Sequence, residues 1–233
     1  MSYPGASQIP YAVVEERTFV RRVYVWMTGG LAITALVSLF IASNDALVGV
    51  FVRNPMLLLV TFLAELGLVL YLTAGIARMS PGTAAACFAL YSALNGVVFS
   101  LIFRVYTPGS VASTFVVTAG TFGVMSLYGY FTKKDLTSIG HLCMMGVLGL
   151  FLALIVNGIF VRSAGFDLVI SCLGVLIFVG LTAYDTQKIK KIHALGEEGT
   201  AADKKAAIIG ALRLYLDFIN LFIFLLHLMN RRR

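Results

Sequence analysis

Seven stretches of about 20 predominantly apolar residues follow one another along this chain, each long enough to cross the hydrocarbon core of a bilayer as a helix. They run from Tyr24 to Ala42, Pro55 to Ala77, Thr83 to Phe103, Val111 to Phe131, His141 to Val161, Asp167 to Tyr184 and Ala207 to Met229. Only closed barrels and helices satisfy every backbone polar group inside lipid, and runs of this length read as helices. Composition agrees: 12% of the residues are charged, against roughly 25% in a soluble domain, and 59% are hydrophobic. Too little polar surface remains to coat a globule. The expected fold is an all-α polytopic membrane protein with seven transmembrane helices.

Three regions follow: an N-terminal arm (1–23), the transmembrane domain (24–229) and a basic tail (230–233). The arm contains an amphipathic stretch, Val13–Val23. Because Met1–Thr18 carries Glu15 and Glu16 and lacks a basic start and an apolar run, no signal peptide is expected. Connections are short and turn-like, as at Ser80-Pro81-Gly82 and Thr107-Pro108-Gly109. The longest, Lys188–Lys205, reads as an exposed polar loop.

Lysine and arginine placement gives the orientation. One side collects Arg17, Arg21, Arg22, Arg78, Lys133, Lys134 and the five lysines between Lys188 and Lys205. The other holds Arg53, Arg104, Arg162 and, if the last segment spans rather than re-enters, Arg231–Arg233. The richer side, with the N-terminus, is expected to be cytoplasmic. The net charge of +7 is therefore a topology and lipid-headgroup signal, and no nucleic-acid partner is expected.

Ionisable residues within the spans carry the functional information, since each costs at least about 2.5–3.5 kcal/mol at mid-membrane. Glu65 lies near the middle of the second segment, Arg78 at its end, and Asp185 closes the sixth. Arg213, Asp217, Asn220 and His227 stack as one stripe along the seventh, which must face the bundle interior or water. Each also has a plainer reading. Arg213 and Asp217, four apart, are placed to neutralise each other. Glu65 reads equally as a hydrogen-bonded packing residue, His227 as an interfacial one, and Asn95 and Asn157 as interhelical hydrogen-bond formers. Asp45, Asp135 and Glu197-Glu198 read as solvated loop charges. Cys87, Cys143 and Cys172 fall within spans without metal-ligand spacing and read as packing residues.

Two segments then carry a resemblance. Tyr184-Asp185-Thr186-Gln187 and Leu214-Tyr215-Leu216-Asp217-Phe218-Ile219-Asn220-Leu221-Phe222 resemble the signature of the Bax inhibitor-1, or transmembrane Bax-inhibitor-motif, family. Arg78-Met79-Ser80-Pro81 and Leu94-Asn95-Gly96 add to it, and the likeness covers nearly the whole chain. It implies six helices surrounding a central seventh and a pH-sensitive calcium leak. It further implies that Asp185 and Asp217 share a proton as sensor and gate, with Arg78 as the latch. Glu65, Arg213 and Asn220 are then candidate pore or modulating residues. Calcium would be the permeant ion, with Asp185 and Asp217 as transient ligands, since it prefers hard oxygen donors. No resident cofactor is expected.

Two carboxylates in a low-dielectric interior cannot both ionise cheaply, so they titrate as a coupled pair. Full deprotonation is expected to separate them, and protonation to favour closure, with the arginine pulling the other way. A proton-coupled transporter and a regulatory protein acting through membrane-protein partners stay open as alternatives. Catalysis is not expected. No lysine sits inside a late span for retinal, Ser138-Ile139-Gly140-His141 supplies no intramembrane serine nucleophile, and the motifs around the aspartates do not look like an aspartyl protease. Nothing resembles a nucleotide, haem or zinc site. The expected location is a bacterial inner membrane.

Overall fold

The computed structural model describes residues 11–193 and 199–230, with side chains from 17 to 191 and from 199 to 230. The side chains of Glu15 and Glu16, the Glu197-Glu198 pair and the Arg231–Arg233 tail lie outside the described part. Nine α-helices account for most of the described residues: α1 (Tyr11–Ala42), α2 (Asp45–Arg53), α3 (Pro55–Gly75), α4 (Pro81–Ser100), α5 (Ile102–Val105), α6 (Pro108–Phe131), α7 (Thr137–Val156), α8 (Ala164–His193) and α9 (Ala201–Asn230). Seven are long and apolar enough to span, α2 and α5 being the short exceptions. An odd number of crossings puts the two ends of the bundle's chain on opposite sides.

The two Pro-Gly turns are helix starts. Ser80 and Thr107 cap α4 and α6 through hydroxyl oxygens that accept from the Thr83 and Ser110 amides, at 3.1 and 3.3 Å. Pro81 and Pro108 occupy the first helical turn, where the missing N–H would have had no helical partner. Asn44 does the same for α2, accepting from the Ala46 and Leu47 amides. At the far end of α7, a π-turn (Asn157–Val161) closes on Arg162 in the left-handed region, φ 49°. Asn157 ties that turn to α8. Its side chain accepts from the Ser163 amide at 3.0 Å and donates to Asp167. The asparagine at 157 thus bridges two helices, whereas Asn95 donates to Tyr91 O one turn back on its own helix.

The sixth and seventh helices are longer than their apolar segments. Lys188–Lys191 continue α8, and Lys204 and Lys205 lie in the first turn and a half of α9, so much of the expected loop is helix. Thirty residues make a helix of about 45 Å, whereas the hydrocarbon core is about 30 Å thick. The polar ends therefore extend beyond the apolar runs that reveal a span. The last segment is one continuous helix, α9, long and apolar enough to cross, with no break at which a re-entrant loop would turn back.

Burial singles out α9. Across its apolar stretch 72% of residues are buried, against 11–39% in the other six spans. It packs against α8, α1, α6 and α4, while α3 rests mainly on α4 and α7 on α8. The arrangement is thus four helices around α9 with two outside them, less regular than a ring of six. Small residues bring the outer helices close, as expected where lipid gives no hydrophobic drive between them. A Cβ built on Gly129 of α6 would meet the Ala183 carbonyl of α8 at 2.2 Å, and one on Gly140 would meet the Tyr184 ring at 2.3 Å.

Candidate functional site

Asp185, in the last third of α8, and Asp217, midway along α9, are both 4% exposed. The two carboxyls lie within electrostatic reach of each other, and Arg213 lies within reach of both. The direct ion pair runs between helices: Arg213 Nη1 is 3.6 Å from Asp185 Oδ1. That exceeds hydrogen-bond distance, so the contact is one of charge alone. Asp185 Oδ1 and Asp217 Oδ2 are buried without a hydrogen-bond partner among the described residues. The helical spacing of Arg213 and Asp217 suggested neutralisation along one helix; packing of α8 on α9 brings the guanidinium into an ion pair with Asp185 as well, while Asp217 stays within its electrostatic reach.

The rest of the stripe along α9 connects this pair to two cavities. Asn220 and His227 line one of about 630 Å³, together with Asp167, Ser171 and Tyr106, at the end of the bundle opposite the N-terminal arm. Arg213 lines another of about 340 Å³ at the arm's end, with Lys188, Lys205 and Ala77. Asp217 lies between and lines neither. From Arg213 to Asn220 is seven residues, about 10 Å of helix.

The other expected site residues stand apart. Arg78 is exposed in the 3₁₀ turn Ile76–Arg78 after α3 and makes no ion pair with a described residue. It sits beside Ala77, at the rim of the arm-side cavity, where Lys205 Nζ donates to Ala77 O at 3.0 Å. Glu65 on α3 lies within electrostatic reach of Tyr91 and Tyr215 rather than of the acidic pair, and its Oε1 is buried without a hydrogen-bond partner among the described residues. Tyr215 belongs to a buried polar network in which its hydroxyl and that of Thr34 are 2.6 Å apart, and Thr34 donates to Ser92 O at 2.8 Å.

Several polar roles escaped the one-dimensional pattern. The Gln187 amide accepts from the Leu136 N–H at 3.0 Å and donates to Lys134 O at 2.8 Å, which fastens the α6–α7 connection to α8 beside Asp185. Its place in the Tyr184–Gln187 motif was a signal, but the partner was not. Arg22 of α1 pairs with Asp203, whose carboxylate also accepts from the Gly199 amide at the start of α9. Among the described residues no group of three or more His, Cys, Asp or Glu side chains is placed to hold a metal. Two carboxylates alone fall short of the six to eight oxygens that calcium takes in a tight site.

Seven spans around a buried, under-partnered acidic pair define a polytopic membrane protein with an ionisable centre. The chain belongs to the Bax inhibitor family: the model described as "Inhibitor of apoptosis-promoting Bax1" matches residues 16–233. It is 44% identical over 232 residues to the inner membrane protein YbhL of Escherichia coli K12, covering 99% of each chain. An uncharacterized protein of Borreliella burgdorferi is 42% identical over 221 residues, 95% of each. Another, from Deinococcus radiodurans, is 45% identical over 216 residues, covering 93% of this chain and 91% of the relative.

Proposed function

We propose that this protein is a pH-sensitive calcium leak of a bacterial inner membrane, N-terminus in the cytoplasm, gated by Asp185 and Asp217. The observation that carries the reading is the position of Asp217, buried between cavities that reach toward it from opposite ends of α9. A permeation path needs those cavities joined across about 10 Å, and the helix faces in that gap carry the two carboxyls. With one proton between them the pair is compatible with close packing of α8 on α9. Loss of that proton leaves two anions in a medium of low dielectric, and their repulsion favours separation of the helices. Separation opens the gap and supplies hard oxygen ligands for a passing calcium ion.

Arg213 opposes this movement, because its guanidinium offsets the charge at Asp185. Its contact with Asp185 is the one that the family likeness gives to Arg78. Arg78, at the arm-side rim, is placed to act on ions entering or leaving. Asn220 lines the wider cavity on the side nearest Asp217 and offers a carbonyl oxygen to the path.

The test is calcium flux into proteoliposomes from about pH 6 to about pH 8, a range on both sides of neutrality, where functional acid–base groups are commonly poised. Flux through the native protein is expected to rise with pH, and Asp185→Asn or Asp217→Asn to abolish that dependence. Arg213→Gln should shift the response more than Arg78→Gln. A folded protein with no flux above empty liposomes would overturn the leak. Flux that requires an opposing proton gradient would assign the same cavities to proton-coupled transport.

A further inference from the structure

The bundle has a lateral opening. Helices α1 and α6 both pack on α9 but scarcely on each other. The cleft left between them has a volume of about 670 Å³ and a lining that is almost wholly apolar. Phe115 and Phe122 of α6 form its far wall and pack edge-to-face on Phe218 of α9, ring centres 5.5 and 5.4 Å away, which forms the floor. A smaller cavity of about 140 Å³ continues it past Leu31, Phe115 and Phe218 toward Phe99. In a membrane this cleft faces lipid.

At one end the lining changes character. Arg17 and Arg21, one helical turn apart on α1, line the cleft where the span begins. Both are exposed, and neither has an ion-pair partner among the described residues. Tyr130, also in the lining, carries the Lys190 ammonium over its ring at 4.7 Å, so a third cation stands near the same end. From Arg17 to Leu31 the cleft follows fourteen residues of α1, about 21 Å. One leaflet of hydrocarbon is about 15 Å deep, half of the bilayer core, which leaves several ångströms at the arginines for a headgroup.

We propose that this cleft is a binding site for one anionic phospholipid, with its phosphate on Arg17 and Arg21 and one acyl chain along α1 and α6 to Phe218. Charge selects the ligand class: two exposed guanidiniums without an ion-pair partner among the described residues, beside an apolar slot, match a lipid bearing net negative charge. The acyl chain ends on the residue that follows Asp217, so an occupied cleft braces the central helix beside the acidic pair. The site does not depend on which ion, if any, the protein conducts.

Native mass spectrometry of the detergent-purified full chain tests this, with phosphatidylglycerol and phosphatidylcholine of identical acyl chains. The native protein should retain phosphatidylglycerol in preference to phosphatidylcholine, each arginine contributing about fivefold. Arg17→Gln/Arg21→Gln should remove that preference, about 25-fold in all, and lower phosphatidylcholine retention far less than phosphatidylglycerol retention. Gly123→Phe fills the cleft from α6, where a Cβ meets nothing within 4 Å, and should lose both lipids without unfolding the protein. Equal retention of the two lipids by the native protein, or an unchanged preference in the double arginine variant, would overturn the proposal. So would a lipid-free dimer that disappears in the Gly123→Phe variant, since a second copy would then be the occupant.

Discussion

Charge placement at single residues divides into centre and periphery. At the periphery, Asp135 begins the connection into α7 and is held well below the ordinary carboxylate value, at about 2. The Thr137 hydroxyl is the chief cause, donating at 2.7 Å, followed by the Lys191 ammonium at 3.0 Å and the Thr137 amide. A carboxylate lowered in this way stabilises the fold above its ordinary value of 3.8 and stops doing so as pH falls toward 2. Asp135→Asn should therefore lower the melting temperature slightly at neutral pH, and the difference should vanish between about pH 4 and about pH 2 in a pH series of thermal melts. The effect is small because the side chain is solvated. The same residue shows the reach of sequence reasoning: Asp135 as a surface charge was legible, but its tie to α8 through Lys191 was not. At the centre, Asp185 and Asp217 stood out as carboxylates in apolar runs. Their grouping with Arg213 depended on how two helices turn toward each other.

Close helix packing through glycine sets the next scale. Gly129 faces backbone on α8, and a Cβ there has no flexible neighbour to displace. Gly129→Ala should cost about 1–3 kcal/mol through overpacking, outweighing any gain in helix propensity. Gly67 of α3 has nothing within 4 Å of its Cβ, and Gly67→Ala should stay within about 1 kcal/mol. Thermal unfolding of both variants in one detergent checks the contrast. A Gly129→Ala protein as stable as the native chain would mean that α6 and α8 are not this close. Spans were legible as apolar runs; these contact points were not, because a glycine that meets a neighbour and one that faces lipid look alike in one dimension.

For the molecule as a whole, seven crossings and the bias of basic residues make a joint prediction. With the arm in the cytoplasm, the end of α9 lies on the other side, and the wider cavity with Asp167 and His227 opens there. An alkaline phosphatase fused after Arg233 should be active in a bacterial host, and a fluorescent protein at the same place should be dark. The reverse pattern would invert the bundle and exchange the roles of the two cavities. The same prediction puts Arg17 and Arg21 in the leaflet that faces the cytoplasm, where basic residues meet anionic headgroups.

Hydrophobic length and charge scarcity alone determine that the chain crosses a membrane seven times, because lipid admits few structures and penalises every polar group. They also expose the acidic residues inside it. Partner choice is different in kind. Arg213 against Asp185, Gln187 on the α6–α7 connection, Glu65 near Tyr215 and the cleft between α1 and α6 all depend on how helices are rotated and spaced. Rotation and spacing are set by small residues and side-chain shape at contacts far apart in the chain, and no local pattern encodes them.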